Sequence, residues 1–386
     1  MLVRAGYAQR MPKTLALRLV VVLAAFACGP VGIRAGQPPG AAHPDPESIG
    51  STRNARIACI IKPGEKTELT FLAGRFSDAE LAELHAAAPG VRLLSGLSRE
   101  QAMEHAAEAQ GADARFATPE FIAKAPKLVW VQAMSAGVDH LIAQPALAGN
   151  EKIVLTNMRA VHGPAIADHA MAMLLTLTRN LEFYQEGQRQ KKWNDADPPR
   201  RSVALAGKTM LVVGIGGIGT EIAQRAHGFG MRVIATRRSD APGPDYVEKV
   251  GKPEDLLKLL PEADVVAVCV PLTAETAGLF DAKAFAAMKP GSYLINIARG
   301  KIVDTGALMA ALKSGKLAGA CLDVTDPEPL PDGHELWGMA NVIITPHVAS
   351  DAELTEERRW ALLKENIRRF GAGEPLLNCV DKKAGY

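Results

Sequence analysis

The chain has 386 residues, 48% hydrophobic and 22% charged, with a formal net charge of +2 at pH 7. That length exceeds one ordinary core and suits two domains of common size. So small a net charge gives no support for a nucleic-acid surface and points to small-molecule partners. The five cysteines, Cys28, Cys59, Cys269, Cys321 and Cys379, form no CxxC pair and match no zinc or disulfide spacing, so no metal is expected.

No Asp or Glu precedes Asp45, whereas Arg4, Arg10, Lys13 and Arg18 precede the apolar run "LVVVLAAFAC" (19–28). With Ala25-Phe26-Ala27 as an A-x-A cleavage site, residues 1–35 read as a signal peptide, and Met11 offers an alternative start. An over-extended start or a cytoplasmic tail is the competing reading. The apolar run is too short for a comfortable membrane-spanning helix, so no stable span is expected in the mature chain. A cleaved signal implies a periplasmic or secreted protein; otherwise the protein is cytoplasmic. "GQPPGAAHPDPESIG" (36–50) opens a linker that runs to residue 55.

From Arg56 the pattern alternates strand and helix, which favours parallel sheets with helices on both faces. Strands are expected at 56–61, 91–96, 114–117 and 128–132, with helices at 77–88 and 98–109 behind the N-caps Ser77 and Ser98. A long helix follows at 164–179, with Pro164 in its first turn. A second series places strands near 209–213, 232–236, 264–269, 292–297, 318–323 and 342–345. The last helix, 351–370, has nothing left to pair with in that series and is expected to return to the first.

In "LVVGIGGIGTEIAQRA", Gly214, Gly216 and Gly219 have G-x-G-x-x-G spacing between an apolar strand and an amphipathic helix. Gly214 permits a tight turn, Gly216 a close approach of pyrophosphate, and Gly219 close helix–strand packing, with Gly217 and Ile218 in the same turn. At the end of the next strand an NAD-preferring site would carry an acid for the ribose 2′-hydroxyl. This chain has Arg237, followed by Arg238 and Ser239. Guanidinium groups bind phosphate, so NADP is the preferred cofactor and NAD the possible one. The alternative is a solvent-facing basic loop that leaves cofactor use open.

"NIARG" (296–300), "LDVTDPEPLP" (322–331) and "ITPHVAS" (344–350) each follow an apolar strand, at the strand ends where open α/β sheets bind ligands. Arg299, Glu328 and His347 therefore form a plausible active site. His162 and His169 flank the long helix without metal-ligand spacing and read as structural or interdomain.

From about residue 56 to 381 the chain resembles the D-isomer-specific 2-hydroxyacid dehydrogenases, a family that includes glyoxylate/hydroxypyruvate reductases. The matching stretches are "SAGVDH" (135–140), "GKTMLVVGIGGIG" (207–219), "PLTAET" (271–276), "INIARGKIVD" (295–304), "LDVTDPEP" (322–329) and "LWGMANVIITPHVAS" (336–350). The resemblance implies two doubly wound, Rossmann-like or flavodoxin-like parallel-sheet domains with the active site in the cleft between them. The substrate domain would comprise 56–163 and 351–386, and the NAD(P)-binding domain 164–350.

The resemblance also assigns roles. His347 resembles the general acid/base that gives a proton to the carbonyl oxygen, Glu328 the carboxylate beside it, and Arg299 the residue that binds the substrate carboxylate and polarises the ketone. Ser135, Ala136 and Gly137 resemble the loop that holds the carboxylate from the other domain. Cys269, Pro271, Thr273, Ile297, Ala298 and Asp323 are placed along the cofactor; Asp323 could instead support the histidine or simply cap a strand end. Thr325 stands where an aromatic is commoner in the family, and Asp168 where Glu is. The activity implied is NAD(P)-dependent reduction of a small 2-oxo acid to the D-2-hydroxy acid, by a homodimer. A dinucleotide-sensing, corepressor-like protein is the rival reading. An amino-acid dehydrogenase would be expected to use a lysine-centred site instead.

Overall fold

A computed structural model describes residues 69–386. The expected signal (1–35), linker (36–55) and first strand (56–61) lie outside the described residues. Five strands form one sheet in the order β2-β1-β3-β4-β5: β1 (Leu69–Leu72), β2 (Val91–Leu94), β3 (Gly111–Asp113), β4 (Trp130–Gln132) and β5 (Val154–Thr156). Seven form another in the order β12-β11-β10-β9-β6-β7-β8. They are β6 (Thr209–Val213), β7 (Arg232–Thr236), β8 (Lys249–Gly251), β9 (Val265–Val268), β10 (Ser292–Asn296), β11 (Leu317–Leu322) and β12 (Val342–Ile344). Every neighbouring pair is parallel, as the alternating sequence pattern requires.

The central strands β6, β9 and β10 are buried on both faces, which is why they read as continuous apolar runs. In β6, Met210 and Val212 enter one core while Leu211 and Val213 enter the other, and β9 divides Val265 and Ala267 from Val266 and Val268 in the same way.

Helix α1 (Asp78–Ala87) starts on a capping box. Ser77 Oγ accepts from the Glu80 amide, and the Glu80 carboxylate accepts from the Ser77 amide. The helix expected over 98–109 ends at Glu104 and yields to a short 3-10 turn at Ala106–Glu108. The strand expected at 114–117 is also a 3-10 turn, Ala114–Phe116, because the Asp113 carboxylate accepts from the Arg115 amide and caps it. The strand itself lies just upstream at β3. There Gly111 leaves room for Phe71 and Trp130, whose rings a Cβ would strike. The sequence pattern does not mark β1, β5 or β8, which have only three or four residues each.

Helix α2 (Gly163–Thr178) packs on α3 (Gly217–Gly228), where Gly163 lets the two backbones approach. Helix α4 (Glu353–Ala372) inserts Leu362, Leu363, Ile367 and Phe370 into the core that covers Trp130 of the first sheet. The chain thus crosses between the sheets twice, and the crossings touch. Arg359 donates to Nε2 of His162 at 3.0 Å, and His162 Nδ1 lies 3.2 Å from the Met158 carbonyl.

His162 is only 4% exposed. Burial, reinforced by the Arg359 charge, pushes its pKa down from 6.5 to about 4. The folded chain therefore keeps the ring neutral while the unfolded chain begins to take a proton near pH 6.5. Stability from this group is complete above pH 6.5 and falls as pH drops toward 4, by roughly 3 kcal/mol at most. Denaturant titrations across that window should give a flatter pH profile for His162→Gln than for the wild type; identical profiles would refute the assignment.

Candidate active site

The turn after β6 lies beside β9, where strand order reverses and open α/β sheets bind ligands. Gly214 has φ +96°, and a Cβ there would meet the Val270 side chain and the Cys269 carbonyl. A Cβ on Gly219 would strike the Gly214 carbonyl oxygen. Gly216, the N-cap of α3, has nothing within 4 Å of its Cβ position, so the helix N-terminus opens onto free space. That is a cradle suited to a pyrophosphate. Gly217 packs on Ala160, and Ile218 packs against the core.

Arg237, at the end of β7, is knitted into this turn. Its Nη2 donates to the Ile215 carbonyl at 2.9 Å and its Nη1 to the carbonyls of Ala241 and Pro242. Arg238 and Ser239 are exposed. Lys252, which the sequence reading misses, donates to the Arg238 carbonyl and pairs with Asp240. Beyond β9, burial pushes the Cys269 thiol up to about 12, so it stays protonated. The Pro271 carbonyl accepts from Thr276 Oγ1, and Thr273 Oγ1 donates to Glu275.

Ile297 and Ala298 are buried at the end of β10. Asn296 braces the following turn, accepting from the Ala298 amide at 3.1 Å and donating to the Arg299 carbonyl at 3.0 Å. Arg299 is thereby aimed at the first sheet. Its Nε donates to Asp139 at 3.1 Å, its Nη1 to the Ala298 carbonyl at 2.7 Å, and its guanidinium lies against Gly137. Neither Asn296 nor Asp139 was singled out from sequence, although both lie inside the matching stretches.

The loop 135–137 is held from behind. Ser135 Oγ donates to the Gly137 carbonyl, Asn157 Nδ2 to the Ala136 carbonyl, and the Met158 amide to the Ser135 carbonyl. Among the described residues the amides of Ala136 and Gly137 have no acceptor. Free N–H groups beside a guanidinium make a carboxylate seat.

His347 Nδ1 and Glu328 Oε1 are 2.8 Å apart, and the Thr325 amide donates to the other Glu328 oxygen at 3.3 Å. Thr325 therefore serves the site through its backbone. His347 has φ +57°, a left-handed conformation that a non-glycine residue adopts only under restraint. Asp323 supplies the restraint. It is 3% exposed, its carbonyl accepts from the His347 amide at 2.9 Å, and its carboxylate accepts from Thr345 Oγ1 and the amides of Val348 and Ala349. The support of the histidine loop expected of Asp323 is thus carried by its carboxylate oxygens. His169, on α2, joins the network through Thr345 Oγ1 at 2.9 Å.

Next to Met134, which precedes the 135–137 loop, a cavity of about 230 Å³ is lined by Arg75, Phe76, Arg115, Arg359 and Trp360, among others. Sequence pattern carries no code for such a wall.

Residues 171–349 match the family described as "D-isomer specific 2-hydroxyacid dehydrogenase, NAD binding domain". A glyoxylate reductase from Thermococcus litoralis is 36% identical over 269 residues, 68% of this chain and 80% of that one. The chain belongs to the D-isomer specific 2-hydroxyacid dehydrogenase family. The glyoxylate/hydroxypyruvate reductase B of Salmonella agona is 37% identical over 265 residues, covering 68% of this chain and 80% of its own. A family member from Xanthobacter autotrophicus Py2, solved with NADPH and MES, superposes with a TM-score of 0.69 at 31% identity, covering 83% of this chain and all of that one.

Removing the Asp323 carboxylate leaves two loop amides and a hydroxyl unsatisfied in a buried place. Asp323→Ala is expected to destabilise the protein by roughly 3 kcal/mol and to depress turnover more than dinucleotide affinity. Thermal unfolding together with steady-state kinetics would show it; wild-type values in both would remove Asp323 from its supporting role.

Proposed function

We propose that this protein is an NADP-preferring reductase of small 2-oxo acids, of the glyoxylate and hydroxypyruvate type, giving the D-2-hydroxy acid. One observation carries the reading: a His–Glu pair that joins the ends of two neighbouring strands, set with an arginine laid on a loop of free amides from the facing sheet. The reductase relatives support turnover over the corepressor-like alternative.

Arg299 and the amides of Ala136 and Gly137 bind the substrate carboxylate, with Asp139 orienting the guanidinium. Arg299 Nη2 has no acceptor among the described residues and is available to the ketone oxygen. With Nδ1–H directed to Glu328, His347 uses Nε2 to carry a proton to that oxygen. The glycine turn and Arg237, Arg238 and Ser239 would hold a nicotinamide dinucleotide, which when bound supplies the hydride for the carbonyl carbon. Hydride and proton together convert the 2-oxo acid to the 2-hydroxy acid. The homodimer is proposed to form through α2 and the segment after it, where Leu181, Tyr184 and Trp193 are exposed.

A panel of glyoxylate, hydroxypyruvate, pyruvate and a bulkier 2-oxo acid, run in parallel with NADPH and NADH, tests the reading. Oxidation of NADPH by at least one acid is expected, and oxidation of neither dinucleotide by any of them would overturn it. His347→Ala should lower kcat by about 10²- to 10⁴-fold with the dinucleotide Kd unchanged; retained turnover would take the histidine out of the mechanism. Arg237→Asp should weaken NADPH binding far more than NADH binding, and equal losses would make the arginines a basic loop.

A further inference from the structure

Residues 379–386 run from the first sheet to Arg238, which follows β7 of the second. Cys379 bridges antiparallel to Thr156 of β5, and Lys382 Nζ donates to the carbonyls of Leu147, Asn150 and Ile153 at 2.9, 2.7 and 2.6 Å. This anchors the tail on the first lobe. The chain then closes a compact turn. The Asp381 carboxylate accepts from the amides of Lys383 and Ala384, the Asp381 carbonyl from the Gly385 amide, and the Tyr386 carbonyl from the Asp381 amide. Gly385 has φ +87°, which a side chain would oppose.

The turn delivers Tyr386 to the second lobe. Its ring centroid lies 4.7 Å from the guanidinium carbon of Arg238, and the Cβ position of Gly385 is 3.5 Å from Thr273 Cγ2. Arg238 and Thr273 are two of the residues assigned above to the dinucleotide. Resting on that assignment, we infer that Tyr386 is a cofactor-selectivity residue, which holds Arg238 at the ribose 2′-phosphate by a cation–π contact. An exposed arginine loses side-chain freedom on binding phosphate, and a ring already stacked on it removes part of that cost. NADH has no 2′-phosphate and makes no demand on Arg238. The contact should therefore separate the two dinucleotides.

Calorimetric titration of the full chain with NADPH and with NADH tests this without turnover, using wild type, Tyr386→Ala and Tyr386→Phe. Tyr386→Ala is expected to raise the NADPH Kd roughly fivefold and leave the NADH Kd unchanged, while Tyr386→Phe, which keeps the ring, restores NADPH binding. An unchanged NADPH Kd in Tyr386→Ala, or equal losses for both dinucleotides, would overturn the assignment of Tyr386 while the arginine reading stands. A wild-type chain without preference for NADPH would overturn the arginine reading, and this inference with it.

Discussion

Arg299 reaches the opposite lobe only because residue 137 has no side chain. Its guanidinium occupies the space a Cβ would need, with Asp139 two residues further on to fix its Nε. This contact joins the turn after β10 to the loop after β4, and so puts a fixed cation beside the free amides of Ala136 and Gly137. A similar economy holds on the second lobe, where Gly300 lies so close to the Thr325 backbone that no Cβ would fit. The Arg299 turn and the loop that carries Glu328 are therefore packed as one piece. Close approach at two glycines thus places Arg299 between the 135–137 loop and the loop that carries Glu328.

The other half of the site depends on a buried charge. Asp323 gives up exposure to water and in return organises the loop from Thr345 to Ala349, including the left-handed backbone of His347. Such a carboxylate is tolerable inside a protein because backbone and hydroxyl donors satisfy it. Positioning through a buried group leaves the histidine ring itself exposed.

The fold class was legible because its determinants are local. Strands such as β6 and β9 are apolar on both faces, glycines mark the turn into α3, and Ser77 and Ser98 announce their helices. Short elements escaped: β5 and β8 have three residues each and take their identity from neighbours in the sheet. The strand placed at 114–117 failed because one side chain, Asp113, folds the backbone into a turn there. In the site, Arg299, Glu328 and His347 could be named from motifs at strand ends. Asn296, Asp139 and Asn157 could not, since each acts through a partner distant in sequence or through a backbone group. Tyr386 lies further still from any motif: its meeting with Arg238 exists only after both lobes and the tail have folded.

One methyl group tests the seat that Gly137 provides for Arg299. Because a side-chain tip is what a Cβ at residue 137 would displace, Gly137→Ala should fold normally and move the arginine. The decisive measurement is the KM for the 2-oxo acid in Gly137→Ala against wild type, at saturating dinucleotide. A rise of roughly tenfold or more, with dinucleotide affinity unchanged, is the predicted result. A wild-type KM would show that the carboxylate does not bind between Arg299 and this loop.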